Sequence, residues 1–380
     1  MSEETLEISY DQVEKEREKY LLVDTRDKVT IEYGMIPGAI SVPEPDLKEM
    51  AEELKGEKIP VLYCTRGLFS QEGAQMLREK GIPALSLKGG YTGWLFEQMQ
   101  KDMSNKEDSD LSEEEALEQR RKDIELSIRK KFHKQLFSRF ARGINDYELV
   151  KPGDKIAVCI SGGKDSMLAS LFFKRYAAEN PNVTVRYICM DPGYNAENRK
   201  MIESNAEKLG IPLDIFETQI FDSVVRIEKS PCYLCARMRR GWLYRKAKEA
   251  GCNKIALGDH FDDVTETVLM STLYSGQYQT MLPVIDSTNF EGMRLIRPLY
   301  LVRERDIIRW RDENGLCFLR CACRFTENAA EDEHLSKRAE VKKLIARLEK
   351  IDSKIPYNIF NSTHNAVLDE IMLASEESYK

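Results

Sequence analysis

Lys155-Ile156-Ala157-Val158-Cys159-Ile160-Ser161-Gly162-Gly163-Lys164-Asp165-Ser166 decides the fold of the larger part of this chain. The apolar run after Lys155 predicts a strand. The polar stretch that follows holds two adjacent glycines and leads into a helix predicted over 165–178. Adjacent glycines let the backbone approach an anion closely, and the N–H groups of such a loop and of the helix N-terminus cradle phosphate oxygens. Ser161 and Ser166 add hydroxyl donors, Lys164 neutralises charge, and Asp165 is suited to hold Mg2+ directly or through water. The spacing is not the Walker one, which places four residues between its first glycine and Gly-Lys-Ser/Thr.

Working outward, strands are predicted over 183–190, 213–216 and 254–257, with a helix over 196–209. This alternation predicts a doubly wound α/β domain with a parallel sheet. Leu257-Gly258-Asp259-His260-Phe261-Asp262-Asp263 ends one of these strands and opens a helix. Strand ends on one edge of an open α/β sheet gather ligands, so Gly258 and Asp263, with Asp191 after the strand that ends at Met190, join the candidate nucleotide site. His260 reads equally well as a helix cap.

Upstream, short strands over 21–24, 60–64 and 84–87 predict a smaller α/β unit. The stretch 102–119 is acidic, with Glu107, Asp108, Asp110 and Glu113 to Glu115, and reads as a linker merging into a helix. The sign then reverses from Arg120 to Arg142. There Ile124, Ile128, Phe132, Leu136 and Phe140 recur every four residues, a basic helix with one apolar stripe that is either a solvated surface or an RNA contact. The domains are therefore expected at 1–101, 120–352 and, as a helical tail, 353–380.

Composition bounds the rest. At 380 residues two domains are expected, and the chain is long enough to bury a core without disulfide staples. A net charge of −7 argues against a uniformly basic nucleic-acid binder but leaves room for a local basic face. No apolar run reaches membrane-spanning length, and MSEETLEISYDQVEKE has no apolar centre for a secretory signal. A cytoplasmic protein with no membrane partner is expected. Its nine cysteines then read as thiols or metal ligands.

Cys64 follows the apolar Val61-Leu62-Tyr63 and opens the loop Cys64-Thr65-Arg66-Gly67-Leu68-Phe69-Ser70 ahead of a helix. Inward N–H groups and a helix N-terminus stabilise an anionic sulfur there. Val23-Asp24-Thr25-Arg26, Glu32-Tyr33-Gly34-Met35-Ile36-Pro37-Gly38-Ala39-Ile40, the Cys64 loop and Leu87-Lys88-Gly89-Gly90-Tyr91-Thr92-Gly93-Trp94 together resemble a single-domain rhodanese over residues 5–100. The resemblance implies that Cys64 carries sulfur as a persulfide. Leu68 and Phe69 stand where such loops often carry a second basic residue, so thiosulfate and a persulfide donor such as a cysteine desulfurase both stay open.

The Ser161–Ser166 loop resembles that of the PP-loop ATP pyrophosphatases, which cut ATP between its α and β phosphates and leave AMP on a substrate oxygen. Cys232-Tyr-Leu-Cys235 has the spacing of a redox pair or half a metal site, and Cys317, Cys321 and Cys323 follow downstream. The loop, Cys232-Tyr-Leu-Cys235-Ala-Arg237-Met-Arg239-Arg240-Gly241, Leu257 to Asp263, Ile296-Arg297-Pro298-Leu299 and a late cysteine resemble the tRNA 2-thiocytidine synthetase family over residues 132–345. That resemblance implies ATP and Mg2+ as cofactors and a 4Fe-4S cluster on Cys232, Cys235 and Cys323, with Cys321 the fallback ligand and a zinc site the alternative. It further implies tRNA as substrate, thiolated at C2 of a cytidine at position 32. Arg237 to Lys248, with Arg120 to Arg142, are the RNA-contact candidates. Thiolation of another tRNA base, and a non-thiolating tRNA ligase, remain alternatives. A homodimer is a candidate assembly.

Overall fold

A computed structural model describes residues 6–31, 34–104, 112–218, 220, 231–319 and 333–365. The chain forms two compact units, Met1–Ala116 and Leu117–Lys380.

The first unit is built on β1 (Glu7–Ile8), β2 (Tyr20–Asp24), β3 (Ile40–Ser41), β4 (Ile59–Tyr63) and β5 (Leu85–Leu87). Their order is β1-β5-β4-β2-β3, and every pairing is parallel. Strand alternation divides the side chains between two cores. Val23 and Leu62 join Val42, Leu47 and Leu77. Leu22, Val61 and Tyr63 join Ile8, Val13 and Ile36. The strands expected from sequence are β2, β4 and β5; β1 and β3, two residues each, are too short to carry a period.

The second unit is built on β6 (Lys155–Ile160), β7 (Thr184–Asp191), β8 (Leu213–Glu217), β9 (Lys254–Ala256), β10 (Val284–Asp286) and β11 (Arg294–Ile296). The order is β10-β11-β9-β6-β7-β8, parallel except for β10 against β11. Ile156, Val158 and Ile160 pack with Leu168 and Phe172 of the helix Lys164–Glu179. Ala157 and Cys159 face the opposite core, with Tyr244 and Ala247 of the helix Pro231–Glu249. The chain steps from β6 to β7 to β8 and then crosses back to β9 on the other side of β6. The C-terminal ends of β6 and β9 therefore flank the point where the winding reverses, which is where such sheets leave a ligand crevice.

Two stretches differ from the sequence reading. The single basic helix is two helices, Glu113–Lys130 and Ser138–Asp146, joined by a π-helical turn His133–Phe137. Its apolar stripe is all core, from Ile124 to Phe140. A strict four-residue spacing drifts by about 40° per step around an α-helix, and the wider π turn absorbs that drift. The tail expected from 353 contains the helix Ile355–Ser362, whose Phe360 stacks on Phe261 with ring centroids 4.6 Å apart. That helix is part of the domain. Helices Gly90–Ser104 and Glu113–Lys130 extend into the stretch read as linker, while 105–111 and 366–380 lie outside the described residues. Among the described residues no helix is long and apolar enough to cross a membrane.

Candidate active site

In the first unit β4 delivers Cys64 to the loop ahead of the helix Leu68–Glu79. The thiol is buried; the Gly67 N–H donates to its Sγ at 3.1 Å, and the Ser70 hydroxyl lies 3.6 Å away. Two donors converging on one sulfur stabilise negative charge on it. The shape depends on Gly67, at φ +96°, and on Gly90, at φ +59°. A Cβ on Gly90 would stand 2.4 Å from the Cys64 carbonyl oxygen and 2.6 Å from the Gly67 nitrogen. Tyr91 N–H donates to that same carbonyl at 2.9 Å. Arg26 lies 3.7 Å over the Tyr91 ring and forms a buried ion pair with Asp24 at 2.5 Å, which braces the loop from within its own unit. Leu68 and Phe69 are exposed, so the helix start next to Cys64 presents apolar side chains.

In the second unit β6 runs into the glycine pair, and the helix Lys164–Glu179 starts at once. The loop holds itself: Ser161 N–H donates to Ser166 Oγ at 3.2 Å, and Ser166 Oγ donates to the Gly163 carbonyl at 3.0 Å. The Leu319 N–H donates to the Gly162 carbonyl at 3.1 Å. The end of β9 lies directly against this loop. A Cβ on Gly258 would stand 2.9 Å from the Ser166 nitrogen and 3.1 Å from the Asp165 carbonyl carbon. Glycine is needed at 258 for close approach, and the two strand ends read as gathering ligands are in contact.

Around the loop lies a buried charge network. Lys164 Nζ is 2.9 Å from Glu304 Oε1 and 3.1 Å from Asp165 Oδ2. Glu304 Oε2 accepts from Lys342 Nζ at 2.7 Å. Arg338 reaches Asp263 at 3.0 Å and Glu266 at 2.8 Å. Burial alone would raise the Glu304 carboxyl, but Lys164, His260 and Lys342 outweigh it and hold the group well below the usual carboxylate range. His260 Nδ1 accepts the Asp263 N–H at 3.3 Å and also lies 3.2 Å from Asp263 Oδ2, two contacts that require opposite protonation of that nitrogen. Burial would discharge the ring, yet Asp263, Asp165, Glu304 and Asp262 together push its pKa up to about 9. Near neutral pH the ring is therefore charged, and Nδ1–H donates to the carboxylate. Asp165 Oδ1 is buried without a hydrogen-bond partner, with His260 Nε2 at 3.8 Å. A buried carboxylate oxygen left this way fits a site for a divalent cation or its water.

The structure thus brings together Ser161, Gly162, Gly163, Lys164, Asp165, Ser166, Gly258 and Asp263. Asp191 ends the neighbouring β7, but its Oδ1 accepts the N–H groups of Gly193 at 2.8 Å and Tyr194 at 2.7 Å, so much of its carboxylate is used to close its own turn. His260 stands at the N-cap position that sequence allowed, but with its ring charged it serves the charge network and leaves the Asp263 N–H without its Nδ1. Cys159, Cys189 and Cys252 are core thiols. Cys232 and Cys235 start the helix Pro231–Glu249, whose described side chains begin at Met238; Cys321 and Cys323 lie outside the described residues. Sequence reasoning missed Glu304, Arg338 and Lys342. They join the network only through ion pairs whose partners lie 38 to 140 residues apart in sequence, which leave no local pattern.

A PP-loop domain model matches residues 130–332, and a rhodanese-like domain model matches 9–97. The tRNA-cytidine(32) 2-sulfurtransferase 1 of Francisella philomiragia is 36% identical over 248 residues, covering 64% of this chain and 93% of that protein. The Coxiella burnetii tRNA-cytidine(32) 2-sulfurtransferase is 33% identical, covering 64% of this chain and 94% of its own. The Neisseria meningitidis relative of the same name is 38% identical over 198 residues, half of this chain, which spans 61% of that protein's length. Among solved structures, the U34-tRNA thiolase NcsA from Methanococcus maripaludis with its [4Fe-4S] cluster superposes with a TM-score of 0.52 over 66% of this chain and 84% of its own. At 22% identity that likeness speaks for the fold. The chain therefore belongs to the PP-loop family, among relatives named tRNA-cytidine(32) 2-sulfurtransferase, and carries a rhodanese-like domain ahead of its PP-loop domain.

Proposed function

We propose that the chain is an ATP-dependent tRNA sulfurtransferase. It adenylates the C2 oxygen of cytidine 32 in the anticodon loop and replaces that oxygen with sulfur. The observation that carries this reading is the contact of the Ser161–Ser166 loop with Gly258 at the point where the sheet winding reverses, in a chain of this family. Loop N–H groups and Lys164 take the β and γ phosphates and stabilise the charge that develops on departing pyrophosphate. Asp165 holds Mg2+, and AMP on the base oxygen converts a poor leaving group into a good one.

Sulfur enters as a persulfide on Cys64, whose extra negative charge is met by the Gly67 N–H and the Ser70 hydroxyl. A protein persulfide donor of the cysteine-desulfurase kind loads it. Cys232, Cys235 and Cys323 supply the thiolate donor set of an iron–sulfur centre. A 4Fe-4S cluster held there would supply iron for sulfur chemistry at the activated base. Persulfide sulfur reaches the thiocarbonyl level with two electrons from a thiol reductant, and the Cys64 thiolate and AMP are the leaving groups.

The test is AMP and pyrophosphate release by the purified full chain with ATP and Mg2+. Unmodified tRNA is expected to stimulate release, and Lys164→Ala to abolish it. Release indifferent to tRNA, or a γ-phosphate cut to ADP, contradicts the reading.

A further inference from the structure

The matched PP-loop domain ends at residue 332, and the helix Glu333–Ile351 begins immediately after it. That helix is tied to the nucleotide loop along one face. Arg338 pairs with Asp263 and Glu266, Lys342 with Glu304, and Glu349 with Arg303 at 3.2 Å. Positions 338, 342 and 349 fall on a single side of an α-helix by their spacings of four and seven. Glu304 is the hinge of the arrangement. Its backbone N–H donates to Asp262 Oδ2 at 2.6 Å, which fixes it beside the first turn of the helix Phe261–Ser275. Its two carboxylate oxygens face two ammonium groups, Lys164 at 2.9 Å and Lys342 at 2.7 Å, while His260 Nε2 stands 4.0 Å away.

We propose that Lys342 is a positioning residue of the nucleotide site, acting on Lys164 through Glu304 from outside the matched domain. This rests on the reading of the loop as an ATP site. Glu304 competes with bound phosphate for the Lys164 ammonium. Lys342 occupies the other carboxylate oxygen and offsets its charge, so that Lys164 is held but remains able to face the phosphates. Without Lys342, a buried carboxylate has one fewer cation. It draws Lys164 away from the phosphates and adds an unbalanced negative charge beside a polyanion. Both effects oppose ATP binding. Neutralising Glu304 as well removes the source of both.

The experiment is isothermal titration of the full chain with ATP and Mg2+, for wild type, Lys342→Met, the double variant Lys342→Met with Glu304→Gln, and Glu340→Gln. Glu340 lies on the same helix but bonds the Tyr274 hydroxyl at 2.7 Å, so it tests helix docking alone. Thermal unfolding confirms that each variant folds. Lys342→Met is expected to weaken ATP binding by about tenfold or more. The double variant is expected to return to within about threefold of wild type, because the loss runs through Glu304. Glu340→Gln is expected to bind as wild type. Lys342→Met binding within about twofold of wild type, a double variant as weak as or weaker than the single, or an equal loss in Glu340→Gln each overturns the proposal. Wild type that fails to bind ATP overturns the nucleotide reading with it.

Discussion

A methyl group at position 258 would meet the Ser166 nitrogen at 2.9 Å, against backbone rather than a side chain that could swing aside. Gly258→Ala is therefore expected to push the phosphate loop out of shape. ATP affinity should fall at least about tenfold while the thermal midpoint moves by only a few degrees, as for a ~1 kcal/mol loss. Calorimetric titration beside thermal unfolding checks both halves. His260 gives a pH signature. Its folded pKa of about 9 stands above its ordinary value of 6.5, so the charged ring stabilises the fold fully below about pH 6.5, and that contribution is lost as pH rises through 9. The lead in thermal midpoint of wild type over His260→Gln is expected to shrink between pH 6.5 and 9. A constant lead across that window would mean the ring is neutral and acts only as a cap.

At the scale of elements, the π turn His133–Phe137 delivers Phe137 and Phe140 to an aromatic group with Phe172, at ring centroid distances of 5.5 and 5.2 Å from it. Phe140 is fully buried. Phe140→Ala is expected to cost about 3–5 kcal/mol, read from urea unfolding of the full chain. This element also marks the limit of what sequence shows. The four-residue recurrence of Ile124 to Phe140 announces a buried stripe, but not that a helix must widen to keep it on one side. Strand β6 is legible because an uninterrupted apolar run belongs to a sheet covered on both faces, and β7 is legible through its shorter run Tyr187 to Met190. Ser161 to Ser166 is legible because its glycines, hydroxyls and charges are contiguous. Glu304 and Lys342 are not, because their meaning lies in pairing across distance, and a buried glutamate looks like any surface one in a single sequence.

On the scale of the whole molecule, one chain carries a thiol site and a nucleotide site in separate compact units. In the proposed route, joining them covalently raises the effective concentration of the sulfur carrier near its acceptor. The two chemistries should therefore separate by mutation. Cys64→Ala is expected to abolish transfer of labelled sulfur from a protein persulfide to tRNA while leaving tRNA-stimulated AMP release in place. Undiminished transfer in that variant would remove Cys64 from the route. The central claim, that this chain puts sulfur on cytidine 32, is tested most directly by mass spectrometry of nucleosides from tRNA of cells with and without the gene. The expected result is loss of 2-thiocytidine with other thionucleosides retained. An unchanged 2-thiocytidine level would contradict it.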